Sequence, residues 1–358
     1  MKILANEFNY FFTSTGAHAA EAAKKLAMEN NFSLQTNTTK VTSLMHVDEF
    51  QFRPVSPAEI RKIIDSFPSN KAPGPDRVSM RVIKDALPYI LLILTEIVNC
   101  SLLTSVFPKA WKDAEVIPLL KEGDCEIANN NRPVSLLPAA SKVCERVALN
   151  QLTEYMVRKK LLSQHQSGNK KQYSTETLNV FMTDMILNSI DKKEMMALVL
   201  LDLSKAFDSI NHSILLTKLS ALGLSNESVD WFRSYLTNRT QSVRLGSQFS
   251  ETRVTTHGVP QGSILGPALF GLYINDLPSI PEICSLESYV DDSKLYLSFS
   301  VKDADDVKAL LTADLQRIAI WCCANSLLIN PDKTKFLILG SRQMVSRIPD
   351  DFHVFASW

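Results

Sequence analysis

The sequence predicts an α+β fold in which an antiparallel sheet is backed by helices, and three observations carry that expectation. Helical periodicity recurs in separated blocks, as in SPAEIRKIIDSF, where Ile60, Ile63 and Ile64 share one face. Strand-like runs come in neighbouring pairs around turn residues, as in LESYVDDSKLYLSF. The blocks follow one another as helices, hairpin, helices, strand, helices, strand pair, helix and strand, with no regular alternation of strand and helix.

Each block has a local reason. A helix is expected over Ala17 to Asn30, followed by the polar linker SLQTNTTKVTSL. Ser56 with Glu59 three residues on forms a capping box for the next helix, which stops at the Pro/Gly-rich PSNKAPGPD. A helix pair is expected from Ser79 to Ser105, and AEVIPLL and RPVSLL flank a polar connection as in a hairpin. From Ala140 the period is helical again, and a further helix is expected over Thr175 to Ser189 after the basic loop SQHQSGNKKQYSTETL. ALVLL reads as a buried strand running into Asp202; helices follow around Ile214 to Leu222 and Val229 to Thr237. A hairpin with Gly246-Ser247 at its tip, the YVDD strand pair, a helix over Ala304 to Asn325 and a last strand in LLINPDKTKFLILG complete the series.

Bulk properties exclude some functions. Lys plus Arg and Asp plus Glu both number 38, so nothing in the net charge drives the chain onto nucleic acid or membrane. A local excess exists: between Lys109 and Gln172 there are 11 basic and 7 acidic residues, a net of +4. The six cysteines form no C-x-x-C pair and read as reduced thiols, which points to an intracellular setting, nucleus or cytoplasm. The basic cluster Arg158 to Lys160 is too short to decide between the two. The apolar run Ala86 to Val98 holds 13 residues with Glu96 among them, too short to span a bilayer, so no membrane partner is expected.

Two adjacent acids, Asp291 and Asp292, interrupt an apolar strand pair, and Asp202 ends another apolar strand 89 residues earlier. A carboxylate buried without a partner costs several kcal/mol, so such acids either sit in surface turns or hold a cation. Three carboxylates converging at neighbouring strand ends would give hard oxygen ligands for Mg²⁺, and two such ions can drive an in-line nucleotidyl transfer. The acids alone leave both readings open.

Longer motifs go further. LLDLSKAFDSINHSILLTKL resembles motif A of reverse transcriptases, GVPQGSILGPALFGLYINDL is similar to their motif B and YVDD to their motif C. KAPGPD, IPLLKEGD, NNNRPVSLLPAASKVCERV and STETL resemble the fingers motifs of the non-LTR, LINE-like retrotransposon group, and WCCANSLLINPDKTKFLILG resembles its motif D. The likeness runs from about residue 55 to 340 in the family's order. It implies a right-hand polymerase of fingers and palm over 56–340, with motif A at 198–213, motif B at 258–277, motif C at 288–296 and motif D at 321–340. Residues 1–55 are then a linker or N-terminal extension, 341–358 a truncated tail, and the thumb is largely missing.

The resemblance implies site residues position by position. Asp202, Asp291 and Asp292 match the catalytic carboxylates that bind two Mg²⁺ ions, with Mn²⁺ as a substitute. Phe207 matches the aromatic gate against a 2′-hydroxyl, and Gly258, Gln261 and Gly262 match motif B positions against nucleotide and template. Lys121 and Arg132 match the fingers cations on the triphosphate, where positive charge offsets charge developing on phosphoryl oxygens. Lys333 matches the motif D general acid, with Lys335 as a credible substitute. The implied activity is RNA-directed DNA polymerase, with dNTPs and an RNA or DNA template carrying a primer as partners. The alternative is an inactive or domesticated retroelement fragment that only binds nucleic acid. Departures from the group's pattern fall at Asn131, where a Tyr is usual, and at Asn169, Gln172 and Tyr173 in the fingers loop.

Overall fold

The computed structural model describes residues 1–34, 49–166 and 174–348. The expected linker SLQTNTTKVTSL and the departures at Asn169, Gln172 and Tyr173 lie wholly or mostly outside those residues. Along the chain come α1 (Lys2–Glu29), α2 (Pro57–Ser66), α3 (Met80–Leu103), β1 (Asp113–Leu120), β2 (Asn131–Leu136) and α4 (Ala139–Lys159). Then follow α5 (Thr175–Asp191), β3 (Met195–Leu201), α6 (Ala206–Ser209), α7 (His212–Ala221), α8 (Asn226–Leu236), β4 (Arg239–Leu245), β5 (Gln248–Phe249) and β6 (Arg253–Thr255). The series closes with α9 (Gly266–Tyr273), β7 (Ser285–Tyr289), β8 (Asp292–Phe299), α10 (Ala304–Ala324), β9 (Lys335–Leu339) and α11 (Arg342–Val345).

The chain forms two compact units. The first comprises the described parts of 1–18, 38–161 and 207–272; the second comprises the described parts of 19–37, 162–206 and 273–358.

In the first unit the sheet order is β2-β1-β4-β5, with β6 also on β4. β1 pairs antiparallel with β2 but parallel with β4, Val116 opposite Val243, so this sheet is mixed, and the antiparallel sheet expected from the sequence is the one in the second unit. The long connection between β1 and β4 permits the parallel pairing that a tight hairpin forbids. Helices α2, α3, α4 and α8 pack together, and Trp231, Tyr235, Phe107 and Phe232 are fully buried among them. Phe107 meets Tyr235 edge-on at 5.0 Å, a favoured aromatic geometry.

Two helices differ markedly from their sequence-based bounds, and a third forms as expected. The capping box is formed as expected, Ser56 Oγ accepting from the Glu59 amide and Glu59 Oε2 from the Ser56 amide. α1, however, begins at Lys2 rather than Ala17, because tertiary contacts hold its first turns. Phe8 packs with Val116 and Val243, and the Asn9 amide donates to the carbonyls of Gln241 (3.2 Å) and Glu251 (2.7 Å). The expected helix pair over Ser79 to Ser105 is the single helix α3, which continues through Pro88 although the ring deprives the Lys84 carbonyl of its usual donor. Buried residues on both sides of the proline, Ile83 and Leu87 before it, Leu94 and Val98 after it, offset that loss. By length and composition alone this 24-residue helix is long and apolar enough to cross a bilayer, a test that helices packed in a protein core also pass.

The second unit holds an all-antiparallel sheet in the order β7-β8-β3-β9. β3 is central and buried along nearly its whole length, which explains its unbroken apolar sequence. Helix α5 covers one face through Leu178 and Met182, which pack on Met196, Leu198 and Tyr296.

Candidate active site

The second sheet brings the three acids together. β3 and β8 pair with Leu201 opposite Ser293, so one more step along the register sets Asp202 opposite Asp292. Beyond Asp202 the chain is pinned to the segment before β9: the Asp202 carbonyl accepts from the Asn330 amide at 2.8 Å, and the Ser204 amide donates to Leu328 at 2.8 Å. β7 and β8 close through the pair Tyr289 and Asp292, leaving Val290 and Asp291 as a two-residue turn. Just below, the buried hydroxyls of Ser288 and Ser293 lie 2.9 Å apart across the strands.

Electrostatics records the convergence. Loss of solvation raises the Asp292 carboxyl above the ordinary aspartate range, and the charges of Asp291 and Asp202 raise it further; Lys294 acts the other way. A cation among the three carboxylates would relieve that repulsion. Among the described residues, no group of three or more His, Cys, Asp or Glu side chains is gathered closely enough to hold a metal ion by itself. Hard ions such as Mg²⁺ bind through one or two carboxylates and take their remaining ligands from water and substrate phosphates.

Lys333 is exposed in the turn between Asn330 and β9, a turn fastened to the Asp202 carbonyl through Asn330 and closed by Thr334 Oγ1 donating to the Asn330 carbonyl at 2.8 Å. Lys335 starts β9, and its Nζ donates to the Asp332 carbonyl at 3.1 Å.

The remaining candidates lie in the first unit. Phe207, in α6, stacks on the fully buried Phe270 of α9. Its carbonyl accepts from the Val259 amide at 3.0 Å, while the Gly258 amide donates to Ile210 at 2.8 Å, so the 258–259 backbone lies directly on the α6 region. At Gly258 φ is +74°, and a Cβ would come within 2.9 Å of the Asp208 backbone. Gly262 has φ +125°, and a Cβ there would stand 2.6 Å from the Ser135 carbonyl. Between them Gln261 donates through Nε2 to both Asp208 carboxylate oxygens, at 2.9 and 3.0 Å, and its carbonyl accepts from the Ser135 amide at 2.7 Å.

Lys121 and Arg132 belong to the β1–β2 hairpin. Leu119 faces Arg132, and the Lys121 amide donates to Asn130 at 2.8 Å, so the ladder puts both exposed cations on one face of the hairpin. Asn131 is buried, and its amide donates to the carbonyls of Cys125 (3.0 Å) and Ile127 (2.8 Å), tying down the hairpin loop.

A family profile described as reverse transcriptase (RNA-dependent DNA polymerase) matches residues 119–347, more than half of the chain and all of the site residues above. The chain belongs to the reverse transcriptase family. Among relatives of this reverse transcriptase chain, the probable RNA-directed DNA polymerase from transposon BS of Drosophila melanogaster is 35% identical over 291 residues, covering 79% of this chain and 32% of the relative. The RNA-directed DNA polymerase from mobile element jockey of the same species is 31% identical over 243 residues, 66% of this chain and 26% of the relative. A Pol polyprotein from the type-1 retrotransposable element R2 of Popillia japonica is 28% identical over 240 residues, 66% of this chain and 31% of the relative. The chain therefore spans about a third of the length of the curated relatives it matches. These transposon relatives agree with the non-LTR likeness of the motifs, in a family that works with divalent metal ions.

Two positions in this reverse transcriptase chain escaped the reading of the sequence. Asp208 partners Gln261, although DSINH offers no sign of it beyond an acid next to Phe207. Glu145 is fully buried and accepts from the amides of Ile264 (2.8 Å) and Leu265 (3.2 Å) and from the Tyr235 hydroxyl (3.2 Å). Burial raises its carboxyl, against which the nearby Arg239 and these donors work. A signal for it existed: in SKVCERVALNQL, Glu145 sits among Val143, Cys144, Val147 and Ala148, all of them buried on α4.

Proposed function

We propose that the chain is the RNA-directed DNA polymerase region of a non-LTR transposon protein, with the fingers and palm of a right-hand polymerase. It extends a primer 3′-end with dNTPs on an RNA or DNA template. What supports this reading is the pairing of β3 with β8 up to Leu201 opposite Ser293, beside Asp202 and Asp292, together with the upward pull that the charges of Asp291 and Asp202 add to the Asp292 carboxyl.

Asp202, Asp291 and Asp292 would hold two Mg²⁺ ions, for which Mn²⁺ can substitute. Bound ions of this kind stabilise the attacking 3′-oxygen and the leaving pyrophosphate. In the step itself the primer 3′-oxygen forms a bond to the α-phosphorus of the dNTP, the bond from that phosphorus to the pyrophosphate oxygen breaks, and the 3′-hydroxyl proton leaves to solvent. Lys333 supplies a proton to the departing pyrophosphate. Lys121 and Arg132, sharing one hairpin face, offset charge on the triphosphate. Phe207 blocks a ribose 2′-hydroxyl, and Gly258, Gln261 and Gly262 form a close-packed backbone platform for nucleotide and template.

Primer extension on an RNA template with each dNTP and Mg²⁺ tests the reading. Incorporation by the parent chain, reduced at least about a thousandfold in Asp291→Ala, supports it. A folded parent that binds primer-template and incorporates nothing, on RNA or DNA and with either metal, overturns it in favour of a binding-only retroelement protein.

A further inference from the structure

The turn that carries Asp291 is strained. Val290, the first of its two central residues, has φ +57°, in the left-handed region that a β-branched residue enters only under constraint. Two-residue hairpins place Gly, Asn or Asp at such positions, because those residues tolerate positive φ. An isolated YVDD hairpin would relax to another turn, moving Asp291 and Asp292 relative to Asp202. Something in the second unit must hold it.

The segment His165-Gln166 does so. The Ser288 amide donates to the His165 carbonyl at 2.8 Å, and Gln166 forms an isolated parallel bridge with Ser288, so 165–166 is fastened to the edge of β7. His165 Nδ1 lies 2.6 Å from Glu287 Oε1, fixing the segment a second time. Gln166, 4% exposed, then reaches past Tyr289 to the turn. Its Oε1 accepts from the Val290 amide at 3.2 Å, and its Nε2 points to the Val290 carbonyl at 3.5 Å. One side-chain amide thus engages both polar backbone groups of the strained residue, as a neighbouring strand would. The buried Gln166 side chain would lose both partners if the partly buried turn changed conformation, so the pairing favours this one turn over its competitors.

We propose that Gln166 is a positioning residue for nucleotide transfer: it holds Val290 in its left-handed conformation and so sets the placing of Asp291 and Asp292. This inference rests on the polymerase reading for its kinetic consequence, but not for its structural one. Gln166 touches no reacting atom; it acts through Val290.

Gln166→Met keeps the volume and deletes both hydrogen bonds. Without any metal, amide hydrogen exchange in peptides covering Val290 to Asp292 is expected to quicken at least about tenfold, while β3 and α10 keep their protection. In primer extension kcat is expected to fall about tenfold or more with KM for dNTP little changed. Val290→Gly removes the strain, since glycine adopts positive φ freely, so in that background Gln166→Met is expected to cost less than about threefold. A purely structural role would cost the same factor in both backgrounds. Unchanged exchange at the turn, or an equal loss with and without Val290→Gly, overturns the proposal. If the parent incorporates no nucleotide, the exchange result alone decides the clamp, and the polymerase reading fails separately.

Discussion

The ring of Phe207 lies stacked on Phe270, their centroids 4.8 Å apart and their planes inclined by 26°. The partly exposed ring is thereby backed by a fully buried one, and its position is set by core packing rather than by its own rotamer freedom. Sugar discrimination at such a ring depends on its not yielding. Phe207→Ala should raise ribonucleotide incorporation relative to deoxyribonucleotide by about tenfold to a hundredfold. Phe270→Ala should do so more weakly while costing about 4 kcal/mol of stability. Parallel primer extension with dNTPs and rNTPs, beside denaturant unfolding, separates the two effects.

Gly262 should tolerate no side chain. Alanine there would need φ +125° and would drive its Cβ to 2.6 Å from the Ser135 carbonyl, against the hairpin that carries Arg132. Gly262→Ala should cost about 2 to 3 kcal/mol and raise KM for dNTP as the 258–265 backbone shifts. An unaltered KM with a lowered melting temperature would limit the glycine to a folding role.

Glu145 anchors the start of α9 from α4. Removing its carboxylate strands two backbone amides and the Tyr235 hydroxyl in a dry environment beside the buried Arg239. Glu145→Ala should therefore cost about 3 to 5 kcal/mol, and Glu145→Gln, which keeps one acceptor oxygen, about 1 to 2 kcal/mol. Urea unfolding of both variants checks the order.

Stability should respond to pH through Asp292. Its carboxyl is raised by lost solvation and by Asp291 and Asp202, so the folded protein keeps a proton that the unfolded chain has released. The associated stability is complete below the ordinary aspartate value, about pH 3.9, and is lost as pH rises through the folded value. Metal-free Asp292→Asn should accordingly melt higher than the parent at neutral pH and match it near pH 4. Added Mg²⁺ should raise the parent's melting temperature at neutral pH and much less at pH 4; melting curves across that range provide the check.

Local sequence by itself determined the capped helix at Ser56, the central strand running into Asp202, the hairpin at Gly246-Ser247 and the choice of Asp202, Asp291 and Asp292 as candidates. Period, capping residues and turn residues act within a few positions of one another, so a linear reading recovers them. The start of α1 at Lys2, the passage of α3 through Pro88 and the parallel pairing of β1 with β4 were settled by tertiary structure, because contacts far apart in sequence stabilise them. The same holds for the partners of the site residues. Phe270 behind Phe207, Asp208 and Ser135 around Gln261, Glu145 beneath α9 and Gln166 on Val290 mostly meet across 50 to more than 120 residues. Such pairs leave no local pattern: the candidate residues could be read along the chain, but what holds them in place exists only once distant segments have packed.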